Sequence, residues 1–475
     1  MLVFAVGAIA LVLGYVFYSR VLQRILSPLR TTTPAYSQND GVDYVPMPTW
    51  KNHMIELLNI AGTGPIFGAL MGAKWGPIAF LWIIFGSILG GAVHDYISGM
   101  MSLRNDGKSL PKNVQIYFGK KFGCVALILV IVVMVVASAM MARSACDLLV
   151  SLTDLPMFIW LSLITLYFVA AALLPIDKVI GKIYPVFGIL LVGMAVMIFG
   201  GLVAGGFHLP EMTLENLHPQ GTNVLPDMCI TIACGAISGF HATQSTMMAR
   251  CIEDEKDGRL VFYGAMIVEA FIALIWVTAG LAFYPDVESL SDALTKWGAS
   301  GVVYEISTSL LGTVGGILAV LGVVVCPITS GDTAIRAIRL IIQDDRGYDS
   351  KNKKIALGIT LITAFVMIAL CLLDFHSLWY YMSWLNQTLA CLTLWVCTAF
   401  LLKTTKKRIY SIVTAAPAIF MTLIVSSFIL NWNRGLNLDY ETSVVIGAIL
   451  TVILALIYLK AYISAEPVKE QYGAD

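Results

Sequence analysis

The chain has 475 residues, of which 58% are hydrophobic and only 13% are charged. One soluble core could not hide that much apolar surface, so the composition predicts a protein that lies in a lipid bilayer. Thirty basic and thirty acidic residues cancel. This balance argues against a nucleic-acid partner and against a strongly charged surface, while the oligomeric state stays open.

The sequence predicts no metal site and no disulfide. Its nine cysteines lie mostly inside apolar runs, and no two of them form a C-x-x-C pair. We interpret them as small hydrophobic side chains. No H-E-x-x-H or comparable ligand spacing is present either.

Thirteen segments are apolar and long enough to cross a bilayer, which needs about 20 residues each. The first lacks a basic region or a clear cleavage site before Arg20, so we expect a retained span. The stretch 289–311 is amphipathic and predicts a helical excursion outside the ninth span. The predicted spans are 2–18, 53–72, 76–102, 122–146, 157–174, 183–205, 226–248, 260–284, 313–340, 355–373, 378–402, 411–431 and 442–462.

The distribution of basic residues predicts the orientation of these spans. With the N-terminus outside and the C-terminus in the cytoplasm, 26 of the 30 lysines and arginines fall in cytoplasmic loops and helix ends. On or near the outer side lie only Lys74, Arg143, Lys296 and Arg434. We therefore expect a multi-pass membrane protein with its N-terminus outside and its C-terminus in the cytoplasm.

Two of the predicted spans contain residues that interrupt a helix. The second has two glycines, a threonine and a proline between Asn59 and Pro65, and the seventh has glycines, hydroxyls and a histidine between Ala233 and Ser245. Unwound backbone at membrane depth is tolerated only where it is buried in protein or lines a wet cavity, and a cavity is the functional interpretation. The alternative is that small residues only allow close helix packing.

The two interruptions lie five spans apart. Spans two to six and seven to eleven would form two five-helix units of opposite orientation, each starting with a broken helix, as in many secondary transporters. The prediction is an all-α polytopic membrane fold with a 5+5 inverted-repeat core, made of residues 51–205 and 206–402. Residues 1–50 add a span and a loop before this core, and residues 403–475 add two spans and a tail.

The substrate is predicted to lie between the two breaks. In the eleventh span Asn386 and Gln387 add a polar pair, whose alternative role is hydrogen bonding between helices. The residues predicted to contact the substrate are Ala61, Gly62, Thr63, Gly64, Gly235, Ala236, Ser238, Gly239, His241, Gln244, Asn386 and Gln387.

Ionisable side chains within the bilayer cost about 2.5–3.5 kcal/mol on insertion scales, so each needs a reason. Glu269 in the eighth span and Asp332 in the ninth could carry a proton or bind a cation. For Asp332 the alternative is an ion pair with Arg336, one helical turn away. His94 and Asp95 could form a proton relay, although adjacent helical residues point about 100° apart and should not face each other.

Two hydroxyls of the ninth span, Thr329 and Ser330, complete the predicted ion site. With carbonyl groups of Ala61 and Gly62 they could form an oxygen cage for a hard cation such as sodium. The alternative is that both hydroxyls cap the backbone of their own helix. Proton and sodium coupling therefore both stay open, and no other cofactor is expected.

Long motifs extend from position 40 to position 390. They read D-G-V-D-Y-V-P at 40–46, I-A-G-T-G-P at 60–65, G-A-V-H-D at 91–95, R-N-D-G-K-S-L at 104–110, I-T-I-A-C-G-A-I-S-G-F-H at 230–241, G-A-M-I-V-E at 264–269 and N-Q at 386–387. On these motifs the chain resembles the carbon starvation protein A family of membrane transporters. The resemblance implies uptake of peptides in nutrient-poor cells, and for some members uptake of pyruvate.

The chain departs from this family in several places. Many members are longer, and a motif that often has paired histidines is here Asn52-His53. Thr63 stands between two glycines where alanine is frequent. Around Asp332 the aspartate matches the family while its neighbours differ, which makes the substrate less certain than the family.

A secondary active transporter that imports peptides or a small carboxylate such as pyruvate, coupled to a proton or sodium gradient, accounts for these features best. No nucleotide-binding loop is present, so ATP-driven transport finds no support. An enzyme is not expected. The first alternative is a membrane-embedded metabolite sensor, and the second is a metal-dependent membrane enzyme that would use His94, Asp95, His241 and Glu269.

Overall fold

The computed structural model describes residues 2–26, 32–174, 176, 180–209, 211–349, 352–373 and 375–465. These residues are mostly helical and contain no β-strand, with one isolated parallel bridge between Met47 and Ile252. The predicted all-α membrane class is confirmed. In chain order the α-helices are α1 Leu2–Leu13, α2 Ser19–Leu26, α3 Pro34–Ser37, α4 Thr49–Ile60, α5 Ala69–Gly72, α6 Ile78–Phe85, α7 Ala92–Arg104, α8 Leu110–Phe118, α9 Lys120–Thr153, α10 Met157–Leu173, α11 Ile180–Ala204, α12 Cys229–Thr231, α13 Ala233–Ala236, α14 Gly239–Met248, α15 Ala265–Phe283, α16 Val287–Arg346, α17 Lys353–Cys371, α18 Phe375–Thr404, α19 Ile412–Asn431 and α20 Tyr440–Ser464.

Short turns of other helical types join several of these helices into longer spans. Their wider or tighter hydrogen bonding is common at irregular and functional positions. The π-helical turns are Gly14–Tyr18, Gly64–Gly68, Gly86–Gly91, Val224–Met228 and Arg259–Gly264, and the 3₁₀ turns are Ala73–Trp75, Glu255–Asp257 and Arg408–Ser411.

Ten helices of the described chain are long and apolar enough to cross a membrane, and the bent pair α4 with Gly64–Trp75 makes an eleventh. The two other predicted spans are also helical. Segment 157–174 forms the 17-residue helix α10, and segment 226–248 forms the short helices α12, α13 and α14. The thirteen predicted segments are thus found, two of them without the length of an ordinary span.

The two ends of the bundle differ in charge. We call the end that holds Arg104 and Arg250 the inner end, and the end that holds Lys74 and Arg434 the outer end. The orientation of these ends relative to the cytoplasm stays a prediction. Four residues used to predict it, Arg30, Lys178, Lys351 and Lys469, lie outside the described residues.

Helix α16 bends twice before it crosses the bundle. Gly298 and Gly312 have φ angles of +68° and +66°, in the left-handed region that glycine adopts without steric penalty. The helical stretch before Gly312 is therefore set apart from the crossing that follows it. This agrees with the predicted helical excursion over 289–311 and with a ninth span that starts at 313.

Apolar side chains cover the outside of the bundle as well as its core. Phe122, Leu166, Phe365 and Leu456 are all exposed, which is unfavourable in water and normal against lipid. Inside, α16 packs along α9 and α11, while α14 packs against α4, α7 and α18. The centre of the bundle is therefore built from the two predicted breaks and the helices around them.

The first break separates α4 from the turn that starts at Gly64. Helix α4 ends at Ile60, Ala61 leaves the helical region (φ −73°, ψ 66°), and the chain resumes after a bend of 56°. Gly62, Gly64 and Pro65 explain the position, because glycine and proline both weaken a helix interior. The break lies where the sequence predicts it.

The second break separates α13 from α14. Ile237 and Ser238 are extended (φ −158° and −150°), so the span unwinds for two residues within the predicted stretch from Gly235 to Gly239. The two broken spans and their place in a transporter fold confirm the predicted core architecture. The exact domain boundaries at 51, 206 and 403 stay predictions.

Candidate functional site

The two breaks pack directly against each other. A Cβ atom placed on Gly64 would lie only 2.1 Å from the Cβ atom of Cys234, so the absence of a side chain at Gly64 permits this contact. In the same way a Cβ atom on Gly91, in the third span, would lie 2.3 Å from the carbonyl oxygen of Ala236. We expected the substrate between the breaks, but in this structure the backbones are in contact there.

The eleventh span holds the second break in place through two amide side chains. Asn386 Oδ1 accepts a hydrogen bond from the backbone amide of Phe240 at 2.7 Å, and its Nδ2 donates to Ser238 Oγ at 2.9 Å. Gln387 Nε2 donates to the carbonyl of Ile237 at 2.9 Å. Both amides thus satisfy backbone and hydroxyl groups freed by unwinding, as the interhelical alternative for this pair expected.

A row of fully buried ionisable side chains lies beside the second break. His241 Nδ1 is 3.0 Å from Asp95 Oδ2, and His241 Nε2 is 3.5 Å from Glu269 Oε2. Asp95, His241 and Glu269 have no exposed surface. We call them the His–carboxyl row. It joins α7, α14 and α15, three helices that the sequence alone could not place together.

His94 extends this row at its other end. Its Nδ1 lies 2.7 Å from Asp95 Oδ1, so the expectation that adjacent helical residues do not face each other was wrong here. The aspartate is short, and its two oxygens contact a histidine on each side. Asp95 therefore links His94 to His241, which is the geometry that a relay needs.

Glu56 is a buried carboxyl that the sequence analysis missed. It lies on α4 with no exposed surface, and its Oε1 accepts a 2.7 Å hydrogen bond from Ser245 Oγ on α14. The same rule that selected Glu269, an ionisable group within an apolar span, also applies to it. Glu56 and Glu269 belong to α4 and α15, which pack against each other, so the centre of the bundle holds more than one buried acid.

Thr329 and Ser330 face the end of α4, as the predicted ion site requires. Thr329 Oγ1 donates to the carbonyl of Leu58 at 2.8 Å, and Ser330 Oγ donates to the same carbonyl at 3.3 Å. Thr329 Oγ1 also lies 3.0 Å from the carbonyl of Val325 in its own helix. Both hydroxyls therefore reach the end of α4, and that of Thr329 also caps its own backbone, so both interpretations keep structural support.

Asp332 does not pair with Arg336, in contrast to the alternative drawn from their spacing. Its Oδ1 accepts a hydrogen bond from the hydroxyl of Tyr184 on α11 at 2.9 Å, and that hydroxyl is also 2.9 Å from the carbonyl of Thr329. Arg336 instead contacts Asp43 at 2.8 Å. Asp332 and Arg336 are thus each paired with a residue distant in sequence, and not with each other.

The remaining predicted contact residues are also buried at the breaks. Thr63 Oγ1 lies 3.7 Å from the sulfur of Met141, while Gln244 Nε2 donates to Thr243 Oγ1 at 3.0 Å. Ala61, Gly62, Gly235 and Gly239 form the broken backbone itself. Within the described ranges, no three His, Cys, Asp or Glu side chains are placed to share a metal ion, so the alternative of a metal enzyme gains no ligand set there.

The D-G-V-D-Y-V-P motif forms a tight turn at the inner end. Asp40 Oδ1 accepts hydrogen bonds of 2.8–2.9 Å from the backbone amides of Val42, Asp43 and Tyr44. This turn directs the buried side chain of Asp43 at two arginines of α16. Its carboxylate lies 2.8 Å from Arg336 and 2.9 Å from Arg339. We call this contact the inner clamp.

Burial and charge act on Asp43 in opposite directions. Burial favours the neutral acid, but the guanidinium groups of Arg339 and Arg336 outweigh it and lower the pKa of Asp43. Next to the clamp, Arg250 pairs with Asp344 at 2.6 Å. The inner end is thus closed by buried and half-buried ion pairs.

Comparison with known families agrees with the motifs. The model of the carbon starvation protein CstA family matches residues 1–159 and 144–296, which together are more than half of the chain. The chain belongs to the CstA family. Its predicted resemblance to that family is confirmed, and both broken spans and the His–carboxyl row lie within the matched residues.

Three proteins that are similar in sequence to this chain are all membrane proteins of bacteria. An uncharacterised membrane protein of Haemophilus influenzae is 37% identical over 342 residues, which cover 60% of this chain and 92% of that protein. The peptide transporter CstA of Helicobacter pylori strain J99 is 28% identical over 64% of this chain and 58% of its own length. The pyruvate/proton symporter BtsT of Escherichia coli K12 is 26% identical over 58% and 48%. The chain thus spans about half the length of these two transporters.

Solved structures with the same fold are also transporters. A manganese transporter of Eremococcus coleocola, crystallised with an aromatic bis-isothiourea substituted compound, has a TM-score of 0.59 at 13% identity and covers 90% of this chain and 97% of that chain. MhsT in complex with L-phenylalanine has a TM-score of 0.57 at 14% identity, over 88% and 99%. At such low identity these likenesses show the fold alone, a LeuT-like transporter fold.

Proposed function

We propose that the chain is a secondary active transporter that imports peptides or a small carboxylate such as pyruvate by alternating access, coupled to a proton or sodium gradient. The observation that carries this proposal is the buried row formed by Asp95, His241 and Glu269 beside the second break. The printed functions of the relatives, a peptide transporter and a pyruvate/proton symporter, support it. Chains of acidic and histidine residues in membrane spans typically serve as proton relays.

The geometry of the His–carboxyl row suits proton transfer. One nitrogen of His241 faces Asp95 and the other faces Glu269, so the imidazole can accept a proton on one side and release one on the other. Among the described residues neither oxygen of Glu269 has a hydrogen-bond partner. A buried carboxyl in that position needs a proton or a cation, and we assign Glu269 as the proton carrier.

Sodium coupling would use the other predicted ion position. The hydroxyls of Thr329 and Ser330 and the carbonyl of Leu58 already converge beside the first break, and oxygen ligands of this kind suit a hard cation. In this arrangement Asp332 and Tyr184 lie next to the site and orient the helix. The two mechanisms require different ions, so they can be separated by experiment.

The substrate would bind at the broken backbone. Every predicted contact side chain there is buried, including Thr63, Ser238 and Gln244, so the spans must move before a substrate can reach the breaks. Such movement around a central site is what alternating access requires. The predicted set of contact residues stays our proposal for the substrate site.

The test is uptake of labelled peptide or pyruvate by liposomes that contain the purified protein, under an imposed proton gradient or an imposed sodium gradient. Accumulation that depends on one gradient supports the proposal and identifies the ion. A protein that binds the substrate without any accumulation would instead be a sensor. Accumulation of neither substrate under either gradient contradicts the proposal.

Glu269→Gln tests the proton carrier. The variant keeps the shape of the side chain but cannot release a proton, so we expect accumulation to be lost while substrate binding is retained. The matched control is Glu288→Gln, because Glu288 is exposed in the first turn of α16, far in sequence from the breaks. Normal accumulation by Glu269→Gln would remove Glu269 from the coupling mechanism.

A further inference from the structure

A cavity of about 480 Å³ opens at the outer end of the bundle. It lies between the turn before α12, the outer part of α18 and the end of α19, and the sequence analysis proposed none of its residues for a binding site. Ligand pockets for small molecules commonly measure about 300–1,000 Å³. The cavity is therefore large enough for a ligand of the size of a short peptide.

Two side chains of opposite charge line this cavity. Asp227 is half-buried at its wall, and Arg434 is exposed at its rim. A carboxylate attracts an ammonium group, and a guanidinium group binds a carboxylate with two parallel hydrogen bonds. The pair suits a ligand that carries both charges.

Aromatic rings form part of the wall of the same cavity. The ring of Trp432 stacks on Phe428 with centroids 5.6 Å apart, and Tyr380 lies 6.3 Å from the same indole. All three residues line the cavity. Aromatic faces bind apolar side chains and peptide planes with little loss of conformational entropy.

The cavity lies directly outside the central breaks along two shared elements. Tyr380 precedes Asn386 by six residues on α18, which corresponds to about 9 Å along the helix axis. Asp227 precedes Ile237 by ten residues in the same broken span. A ligand in the cavity is thus placed about two to three helical turns from the second break.

We propose that this cavity is an outer binding site for short zwitterionic peptides. Asp227 binds the free ammonium group, Arg434 binds the free carboxylate, and the aromatic wall contacts the side chains. A monocarboxylate such as pyruvate carries only one of the two groups and gains nothing from Asp227. Binding at the outer site does not depend on transport. Only the onward passage of the peptide to the breaks rests on the proposed transport function.

The test measures binding of three forms of one dipeptide, Ala-Phe, to purified protein in detergent. These are the free dipeptide, its N-acetylated form and its C-terminal amide. For the native chain we expect each blocking group to weaken binding by about tenfold, since each removes one charge-assisted hydrogen-bonded contact. In Asp227→Asn acetylation should no longer weaken binding, and in Arg434→Gln amidation should no longer do so.

This design separates recognition from a general loss of structure. A variant that is only less well folded would weaken binding of all three peptides equally, which would contradict the proposal. Glu441→Gln and Lys296→Gln are the matched controls, because they remove one charge of each sign at the outer end without lining the cavity. Both should discriminate among the peptides as the native chain does.

The outcome also differs from a failure of the transport function. If the native chain binds the free dipeptide with the expected discrimination but liposomes accumulate none, the outer site stands and the proposed transport fails. If liposomes accumulate the peptide while Asp227→Asn and Arg434→Gln discriminate normally, transport stands and the outer site is refuted. Absence of dipeptide binding to the native chain also refutes the outer site.

Discussion

The Oδ1 atom of Asn386 lies 2.7 Å from the backbone nitrogen of Phe240 and accepts its hydrogen bond. Phe240 is the second residue of α14, where the first amides of a helix have no partner within the helix. A side chain from the eleventh span therefore caps a helix of the seventh. The unwound segment keeps its shape because a distant part of the chain satisfies it.

Removal of this cap should destabilise the second break. In Asn386→Ala the amide of Phe240 stays buried without a partner, which costs about 1–3 kcal/mol. We expect a lower free energy of unfolding in detergent and weaker substrate uptake. Thr388→Ala is the control, since its hydroxyl bonds only to the carbonyl of Trp384 in its own helix. Equal effects of the two substitutions would refute the capping role.

A methyl group at Gly64 should push the two breaks apart. It would lie 2.1 Å from the Cβ atom of Cys234, where backbone and side chain are both packed. Overpacking of this kind costs about 1–3 kcal/mol, so the midpoint of thermal unfolding should fall. Gly193→Ala in α11 meets no atom within 4 Å, and a helical glycine replaced by alanine gains about 0.5–1 kcal/mol. The prediction fails if Gly64→Ala unfolds at the temperature of Gly193→Ala.

Loss of the inner clamp should cost more than loss of an exposed ion pair. In Asp43→Asn two buried arginines lose their partner, and such a change typically costs about 3–5 kcal/mol. Asp345→Asn removes the half-exposed pair with Lys112 at 3.1 Å and should cost about 1 kcal/mol or less. Unfolding by denaturant in mild detergent measures both values, and a smaller loss in Asp43→Asn than in Asp345→Asn would contradict the buried role.

The outer loop should loosen in acid through His218. Burial, together with the charge of Lys74, lowers the pKa of His218 to about 4, against an ordinary value near 6.5. Its ring packs on that of Trp75 with centroids 4.4 Å apart and the ring planes tilted by 47°. Its Nδ1 accepts a hydrogen bond from the amide of Gln220 at 3.3 Å, which only the neutral ring can do. A histidine with a lowered pKa stabilises the fold above pH 6.5, and this stability is lost as the pH falls from 6.5 towards 4.

Hydrogen exchange of residues 216–223 at pH 7 and pH 5 measures this effect. After correction for the intrinsic effect of pH on exchange, we expect lower protection of these amides at pH 5 than at pH 7 in the native chain. In His218→Asn, which cannot titrate in this range, exchange should show no such change beyond the intrinsic effect of pH. Identical pH dependence of the two proteins would assign the loosening to another group.

The breaks were predictable because they are local. Glycine and proline disfavour a helix wherever they lie, so the sequence placed the interruptions near Gly62 and near Ser238 without knowledge of their neighbours. The excursion before Gly312 was predictable from the amphipathic pattern of residues 289–311. The all-apolar spans followed from composition, and the family followed from motifs that extend over most of the core.

The partners across the bundle were not predictable. The spacing of Asp332 and Arg336 on one helix face suggested a pair, yet each side chain has a partner from a different segment, Tyr184 and Asp43. The row of Asp95, His241 and Glu269 joins three spans whose relative rotation no sequence pattern records. The rule that selects ionisable groups within apolar spans also applies to Glu56, which was overlooked. Its hydrogen bond with Ser245, in contrast, could be found only from the structure.

Because of the inner clamp, the contacts that hold the two ends of the bundle together are different. Asp43 belongs to the loop that precedes the first broken span, whereas the loop before the second broken span contacts the bundle through His218 and Trp75. A two-fold rotation that exchanges the two repeats would therefore not reproduce the contacts of Asp43 with Arg336 and Arg339. Opening towards the inner end must break charge pairs held by an element outside the repeats, whereas the outer end carries no such tie from that loop. In the proposed transport cycle, the added loop would therefore favour the state that is closed at the inner end.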